Sequence, residues 1–537
     1  MAVAVAVCAS IFRLLVHLVE VFVYLELNRS CFNLLETHRV AFVKFLQRCS
    51  TDAIIPYCSP HSHSTTTAAM ANLTIRNLTI NPIELIEVER FEGQRVRTGG
   101  VLSSMTSFMS SSHKTHAKGD AILKEEASVS IAPFEVKDTE IRSADKNKEV
   151  VRLTFKYEGY KYEVDIPSPS NKSSVMKNLD GGKHDLTVVY TPNGTFLAIF
   201  SSAQLHRWME ELHDDWPLPL LSIPGTHNSP TCFTALPSVR CQAVDIPEQL
   251  RNGVRFLDIR VSVSPSSDDL ALVHSVFPIS LTGTRYFRDM VEDIYKFLDE
   301  NTSETIIMSI KREGTGRGSD QQLGKYLKHS YVDKRQDRWW TEPRIPTLGS
   351  ARGRIIIVRR FYLDEEMHNS CWDGCGWGID AGDWPDNCED GKVGEGEHIH
   401  VQDFYTVTES QNIQKKIEFC RRQLERAAEQ TFSHTGLNGH KEGANLPPFI
   451  INFLTASNFF NATCWPERIA AKVNPSVIEY LCMCHGEEGK GPNKLKIGSA
   501  ATGIVVTDWV GHRDDWDLIR CIVGMNARLQ LMRSAQQ

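Results

Sequence analysis

The chain lacks both an excess of basic residues and a long uninterrupted apolar run. Lys and Arg number 59 against 66 Asp and Glu, a formal net charge of −7, whereas nucleic-acid binding needs a concentrated basic surface. The apolar N-terminal stretch is interrupted by Arg13, His17, Glu20 and Glu26, so it offers no run of about twenty apolar residues to cross a bilayer. We therefore expect neither a nucleic-acid partner nor a transmembrane segment.

The 14 cysteines lack the paired C-x-x-C spacing of structural zinc sites. The two groups that come nearest are Cys371, Cys375 and Cys388, and Cys482 and Cys484 before His485. We predict no metal at either group. In a chain of this size the cysteine count does not establish an oxidising compartment, so a cytoplasmic or a secreted location stays open.

A length of 537 residues is enough for two or three domains. Residues 1–69 are predicted to be a poorly defined extension and linker, and translation starting at Met70 is one interpretation of them; an amphipathic membrane-associating helix is the other. Residues 70–205 contain short, often alternating apolar segments separated by turn residues, which predicts a β-rich, sandwich-like domain. Within it, KYEGYKYEV predicts a hairpin.

Residues 206–537 alternate strand-like and helix-like segments, which predicts parallel strands with crossover helices. Two of the predicted helices contain RYFRDMVEDIYKFLDE and IQKKIEFCRRQLERAAEQ. The predicted strands lie near 219–225, 254–261, 270–275, 305–311, 354–361, 398–405, 448–455 and 502–508.

Polar residues at or near the ends of these strands indicate a chemistry. His227 and His274 each end such a segment, and Asp258 and Arg260 alternate with apolar residues on a third, so both polar side chains leave one face of that strand. Histidine suits proton transfer near neutral pH, and the arginine fork suits a phosphate. The pattern is that of a phosphodiester-cleaving site; two structural histidines and a buried Asp/Arg pair are the alternative.

Four motifs carry a family resemblance: LSIPGTHNS, GVRFLDIRVS, the long segment from LALVHSVFP to IMSIKRE, and GIVVTDWVG. In order and spacing they resemble the X domain of phosphatidylinositol-specific phospholipase C, most closely its bacterial type and fungal relatives. The resemblance spans roughly residues 206–530. It implies an α/β fold, an irregular TIM-type (β/α) barrel, here preceded by the β-rich domain.

The resemblance also implies roles. His227 corresponds to the general base, Asp508 to the carboxylate that orients it, and His274 to the general acid. Arg260 corresponds to the phosphate-stabilising arginine, with Asp258 supporting it. The inositol-pocket positions of the family correspond to Lys311, Arg360, Asp403 and Tyr405.

One residue departs from the bacterial pattern, which has Asp where this chain has Asn228. An amide can hold a hydrogen bond but cannot stabilise an imidazolium by charge, so we interpret Asn228 as a neutral orienting group. The calcium-dependent branch of the family has acidic ligands where this chain has Arg260 and Lys311, and a cation cannot coordinate calcium. We therefore predict a metal-independent enzyme without a cofactor.

The resemblance thus implies cleavage of phosphatidylinositol, or of an inositol glycolipid, to diacylglycerol and a cyclic inositol phosphate. A catalytically weak inositol-lipid binding or regulatory module is the alternative, because of Asn228. A third possibility is a related phosphodiesterase, but we find no acidic magnesium site for it. The partner is a phospholipid at a membrane surface, contacted peripherally, and Trp339 and Trp340 in KRQDRWW either sit at that surface or cover the barrel.

Overall fold

The computed structural model describes residues 71–534, apart from stretches at 98–112, 146–147, 168–172, 192–194, 202–203, 237, 265–266, 268, 395, 433–445, 490–493 and 496–497. These residues all belong to one compact unit, Ala69–Gln537. The predicted extension at 1–69 and the proposed start at Met70 lie outside the described residues. In the described part of the chain, no helix has the length and apolar character needed to span a bilayer.

The N-terminal region is β-rich, as predicted. Its strands are β1 Asn72–Leu78, β2 Ile83–Arg97, β3 His113–Ile131, β4 Val136–Arg142, β5 Glu149–Tyr157, β6 Tyr160–Ile166, β7 Ser173–Val175, β8 Lys177–Asn178, β9 Leu186–Thr191 and β10 Phe196–Ser201. They form two five-stranded sheets, ordered β4-β1-β10-β9-β7 and β3-β2-β5-β6-β8. Leu73 and Ile75 of one sheet share a core with Ile83 and Leu85 of the other.

The predicted hairpin is confirmed by the antiparallel pairing of β5 with β6. Its turn is Glu158-Gly159, and both residues have positive φ, 51° and 88°. Two consecutive positive φ values are those of a two-residue turn whose twist matches the flanking strands, and glycine adopts them without steric cost.

The remaining strands form one large sheet. They are β11 Ile223–Thr226, β12 Phe256–Ser262, β13 Ala271–His274, β14 Phe277–Pro278, β15 Ile306–Arg312, β16 Trp339–Trp340, β17 Ile355–Arg360, β18 Ile379–Asp380, β19 Gly391–Val393, β20 Ile399–Gln402, β21 Phe449–Phe453 and β22 Ile504–Thr507. The main path runs β16-β17-β15-β12-β11-β22-β21-β20-β19. From β17 to β20 along this path every ladder is parallel, and none joins β17 directly to β20 among the described residues.

Seven of the eight predicted strands of this region therefore belong to the parallel series. The eighth, near 270–275, is the exception, because β13 pairs antiparallel with β12 and continues into β14. The chain between β12 and β13 is too short to hold a crossover helix, which a parallel neighbour requires. His274 thus enters the site on a hairpin rather than at the end of a parallel strand.

Helices cover the sheet. They are α1 Ile246–Arg251, α2 Phe287–Glu300, α3 Asp320–Leu327, α4 Leu348–Ala351, α5 Glu365–Ser370, α6 Ile413–Ala428, α7 Pro466–Met483, α8 Asp517–Gly524 and α9 Ala527–Ser534. In α2 the residues Phe287, Met290, Val291, Ile294 and Leu298 are buried, a spacing that places one apolar stripe against the sheet. The two helices predicted from quoted sequence segments are both present, as α2 and α6.

The β-rich region contacts the α/β region through buried polar groups. Arg76 of β1 donates hydrogen bonds to the carbonyls of Cys482 (3.0 Å), near the end of α7, and of His485 (2.7 Å), just after it. The His485 ring is buried, with Nε2 3.0 Å from the carbonyl of Ala500. The two regions also share core residues such as Phe200. The division near residue 205 stays a prediction.

The His485 ring makes the stability of this contact depend on pH. Burial and the nearby Arg76 cation lower the pKa of His485 from 6.5 to about 4. A lowered histidine pKa means that the unfolded chain binds the proton more readily, so its contribution to stability is complete above about 6.5 and decreases as the pH falls toward 4. The decrease is up to about 1.4 kcal/mol per pH unit.

We expect His485→Gln, which can still donate to the same carbonyl but does not titrate, to lose less stability on acidification than the parent protein. Urea unfolding at pH 7 and at pH 5 measures the difference. An equal loss in both proteins would contradict this account of His485.

Candidate active site

The ladder between β11 and β22 brings together two residues 281 positions apart. Thr226 pairs with Thr507, so the residues that follow them leave the sheet side by side. Nδ1 of His227 lies 3.0 Å from Oδ1 of Asp508. Burial alone would lower the pKa of His227, but the Asp508 carboxylate outweighs it and raises this pKa well above 6.5. The carboxylate therefore orients the ring and stabilises its charged form.

Asn228 lies next to the other nitrogen of the same ring. Its Nδ2 is 3.1 Å from Nε2 of His227, and its backbone N–H donates to Oδ2 of Asp258 at 3.1 Å. Asn228 has φ 41°, a left-handed conformation that Asn tolerates better than most residues. With the Asp508 contact on Nδ1, both ring nitrogens of His227 have a polar neighbour.

His274 faces His227 across the site. The two ring centroids are 5.8 Å apart and the rings are nearly perpendicular, at 88°. Nδ1 of His274 lies 2.8 Å from the carbonyl of Val239. Burial would lower the pKa of His274, and the neighbouring Cys241 is the largest influence raising it; the net pKa is raised.

Three cations form a row across adjacent strands. Arg260 of β12 pairs in register with Lys311 of β15, and Lys311 pairs with Arg360 of β17. In parallel strands, residues in register project from the same face. The strand order therefore produces a positive row beside the two histidines.

Asp258 pairs with two of the three cations in this row, Arg260 and Arg360. It is fully buried and accepts from Nε of Arg260 at 3.1 Å and from Nη2 at 3.0 Å. Nη1 of Arg360 lies 3.6 Å from its Oδ1. Burial alone would raise the pKa of Asp258, but these two guanidinium groups outweigh it and hold the pKa well below its usual value. Asp258 is therefore a carboxylate at all ordinary pH values.

Glu313 contacts the row from the other side. It pairs with Nη1 of Arg260, with Nζ of Lys311 at 3.0 Å, and with the backbone N–H of Ser275 at 2.8 Å. Burial would raise the pKa of Glu313, but Arg260 and Lys311 outweigh it and lower the pKa to about 2. The guanidinium of Arg260 thus lies between two carboxylates.

The wall of the site near β17 contains an aromatic ring. The Arg360 guanidinium stacks on Trp384 at 3.9 Å, and Nε1 of Trp384 donates to Oδ2 of Asp403 at 3.0 Å. Asp403 also lies 4.0 Å from Nη2 of Arg360. Tyr405 is farther out: it is exposed, and its hydroxyl donates to Asp386 at 2.6 Å.

The structure therefore groups His227, Asn228, Asp258, Arg260, His274 and Asp508 around one point, with Lys311, Arg360 and Asp403 beside it and Tyr405 at the rim. Three further residues were not predicted: Cys241, Glu313 and Trp384. Glu313 follows Lys311 by two positions, so the alternation of a strand end could have found it. The other two lie in segments without a periodic pattern, and only the folded chain brings them in.

The X domain of phosphatidylinositol-specific phospholipase C matches residues 215–361. This segment contains both histidines, Asp258, Arg260 and Lys311. The match assigns this segment, residues 215–361, and not the whole chain, to the X-domain family.

Relatives of this X domain include a 1-phosphatidylinositol phosphodiesterase from Listeria monocytogenes, 32% identical over 189 residues, which are 33% of this chain and 54% of that protein. One from Staphylococcus aureus is 25% identical over 326 residues, which are 57% of this chain and 88% of that protein. Human PI-PLC X domain-containing protein 1 is 29% identical over 206 residues, 31% of this chain and 60% of that protein. The chain thus spans about half the length of the Listeria relative.

Among solved structures, a phosphatidylinositol-specific phospholipase C from Staphylococcus aureus with an incorporated pentafluoro-Phe has a TM-score of 0.46 and 22% sequence identity, covering 60% of this chain and 98% of that chain. The enzyme from Listeria monocytogenes has a TM-score of 0.41 and 20% identity, covering 60% of this chain and 99% of that chain.

The X-domain site depends on Asp258 for stability as well as for orientation. We expect Asp258→Asn to destabilise the protein by about 3–5 kcal/mol, because it leaves two buried guanidinium groups without their shared carboxylate. Urea unfolding measures the loss. The control is Asp386→Asn, which removes an exposed partner of Tyr405 and should change stability by about 0.5 kcal/mol or less. Equal effects of the two changes would contradict the role of Asp258.

Proposed function

We propose that this X domain is a phosphatidylinositol-specific phospholipase C. It cleaves phosphatidylinositol, or an inositol glycolipid, to diacylglycerol and a cyclic inositol phosphate. The observation that carries the proposal is the pair of perpendicular imidazoles at 5.8 Å, with Asp508 behind one ring and Arg260 joined through Asp258 to the backbone of Asn228. The names of the Listeria and Staphylococcus relatives support the substrate class.

His227 acts as the general base in this proposal. In the neutral form of the ring, Nδ1–H donates to Asp508, and the lone pair of Nε2 is left for a substrate proton. Substrate binding displaces the Asn228 amide from Nε2, and the ring then takes the proton of the inositol 2-hydroxyl. The hydroxyl oxygen forms a bond to phosphorus and closes the cyclic diester.

His274 acts as the general acid on the opposite side. It gives a proton to the diacylglycerol oxygen as the bond between that oxygen and phosphorus breaks. The proton gained by His227 and the proton lost by His274 balance, so one further exchange with water resets both rings. The separation of the base and the acid on two rings that face one another supports this division of roles.

Arg260 supplies the positive charge that the non-bridging phosphate oxygens need. Asp258 and Glu313 hold its guanidinium from two sides, so the fork is oriented before the substrate arrives. The guanidinium also fills the space between the two carboxylates that a calcium ion would need, and Lys311 pairs with the same Glu313. These contacts support a metal-independent reaction.

The inositol ring binds beside the cationic row in this proposal. Lys311, Arg360 and Asp403 meet its hydroxyls, while Tyr405 covers the ring from the rim. Trp384 stiffens this wall, because it contacts both Arg360 and Asp403. We interpret the curled parallel sheet as an irregular barrel, open between β17 and β20, with these residues at the carboxyl ends of its strands.

The test of the proposal is hydrolysis of phosphatidylinositol in excess chelator. We expect the parent protein to release a cyclic inositol phosphate, and His227→Ala and His274→Ala each to lose about 10²–10⁴ in rate, because each removes one proton-transfer group. His400→Ala is the matched control, since this half-buried histidine lies on β20 outside the site.

Other outcomes of the same assay are informative. Binding to phosphatidylinositol vesicles without turnover would favour a regulatory lipid-binding module, for which Asn228 is the reason. Activity that is lost in chelator and restored by magnesium would contradict the metal-independent mechanism.

We also propose that an aromatic rim contacts the membrane. The rim consists of Val276, Phe277, Leu281, Phe459 and Phe460. Phe277 stacks on Phe459 at 5.6 Å, and the Phe460 side chain is 73% exposed. The rim joins the loop after His274 to the loop after β21, beside the proposed catalytic mouth. Trp339 and Trp340 are instead buried and form strand β16, which pairs with β17.

We expect Phe460→Asp to weaken binding to phosphatidylinositol vesicles about tenfold, because an inserted phenyl ring contributes about 1.5–3 kcal/mol. Vesicle sedimentation measures it, and hydrolysis of a short-chain soluble substrate should be unchanged. Ile122→Asp is the control, since Ile122 is equally exposed at 72% but lies on β3. Equal weakening by both substitutions would contradict the rim.

A further inference from the structure

A buried thiol lies between the two imidazoles of the site. Sγ of Cys241 is 3.7 Å from Nδ1 of His274. One ligand atom of each of the three residues lies within 4.8 Å of the others. The proposed reaction uses both rings and has no step for the thiol.

The backbone holds Cys241 in this position. Its N–H donates to Oγ1 of Thr231 at 3.0 Å, and its carbonyl accepts from the N–H of Trp509 at 2.9 Å. The side chain is therefore fixed at the site by contacts on both sides of its own residue. These two backbone hydrogen bonds determine where the thiol lies.

The histidines are prepared to bind a soft cation. A metal-binding histidine usually gives its second ring N–H to a carboxylate, and Asp508 takes that place at Nδ1 of His227. His274 presents Nδ1 toward the thiol, where the Val239 carbonyl is now its neighbour at 2.8 Å. One thiolate and two neutral imidazoles are a ligand set that zinc-class ions favour.

The surrounding charge does not oppose a cation. The charged side chain in direct contact with the cluster is the Asp508 carboxylate. The other carboxylates of the site, Asp258, Glu313 and Asp403, each lie within 4.0 Å of at least one of the cations Arg260, Lys311 and Arg360. Tetrahedral zinc holds sulfur at about 2.3 Å and nitrogen at about 2.0–2.1 Å, so the three ligands need to approach one another by about 1 Å, which small side-chain rotations supply.

We propose that His227, Cys241 and His274 form an inhibitory binding site for a soft divalent cation of the zinc class. The inference rests on the proposed function, because the same rings would carry the two proton transfers. A bound cation takes lone pairs of both imidazoles, so neither ring can exchange a proton with substrate. Magnesium and calcium prefer oxygen ligands and do not compete for this set.

Inhibition is tested by titrating zinc into the phosphatidylinositol hydrolysis assay, with each variant compared to its own rate in chelator. We expect zinc to inhibit the parent protein reversibly, and magnesium not to inhibit it. Half-inhibition of Cys241→Ser should need at least roughly tenfold more zinc. Cys232→Ser, a half-buried cysteine outside the cluster, should behave like the parent.

A second measurement is independent of catalysis. Cadmium bound to a thiolate absorbs in the ultraviolet, so a cadmium titration of the full chain can be followed by this band. We expect the band to be smaller by one equivalent in Cys241→Ser and in Cys241→Ala than in the parent protein. In His400→Ala it should equal that of the parent. If the band is lost in the Cys241 variants but neither the parent nor any variant hydrolyses phosphatidylinositol, the metal site is supported and the phospholipase C proposal is overturned. Zinc sensitivity and cadmium binding that are equal in the parent and both Cys241 variants would overturn the metal site.

Discussion

The buried carboxylate of Asp258 is the contact on which the site depends. It accepts from Arg260 and from the backbone N–H of Asn228, and it lies beside Arg360. An unpaired charge in this location would cost several kcal/mol, so Asp258 and the two guanidinium groups require one another. The same hydrogen bonds fix the backbone turn that carries His227. They also orient the guanidinium of Arg260, the proposed phosphate-binding group. Stability and chemistry therefore share one set of contacts.

The register of the parallel strands brings the other polar residues of the site next to Asp258 and its partners. Register between β12, β15 and β17 aligns three cations, and register between β11 and β22 sets His227 beside Asp508. Each strand needs to contribute only one or two polar residues at its end, where their burial does not interrupt the apolar core of the sheet. His274 is supplied differently, by a hairpin, which lets its ring approach from across the mouth at nearly a right angle.

In this structure the polar groups of the site contact one another. Asn228 lies against Nε2 of His227, and Glu313 pairs with both Arg260 and Lys311. In the proposed reaction, the substrate phosphate and its sugar replace existing partners of these groups. Asn228 is uncharged, in contrast to the aspartate of the bacterial pattern, and the Cys241 thiol lies close to both histidines.

Much of this arrangement follows from the sequence by itself. Apolar segments bounded by turn residues predict strands, and a polar residue in the last positions of such a segment or directly after it lies near a strand end. The positions of His227, Arg260, Lys311, Arg360 and Asp508 were predictable for that reason. The antiparallel course of β13 and the identity of Glu313, Cys241 and Trp384 as neighbours of the site were decided only by the tertiary structure. Local patterns set the conformation of each segment, whereas the pairing of strands up to 281 residues apart depends on how all the helices pack against the sheet, and no short stretch of sequence contains that information.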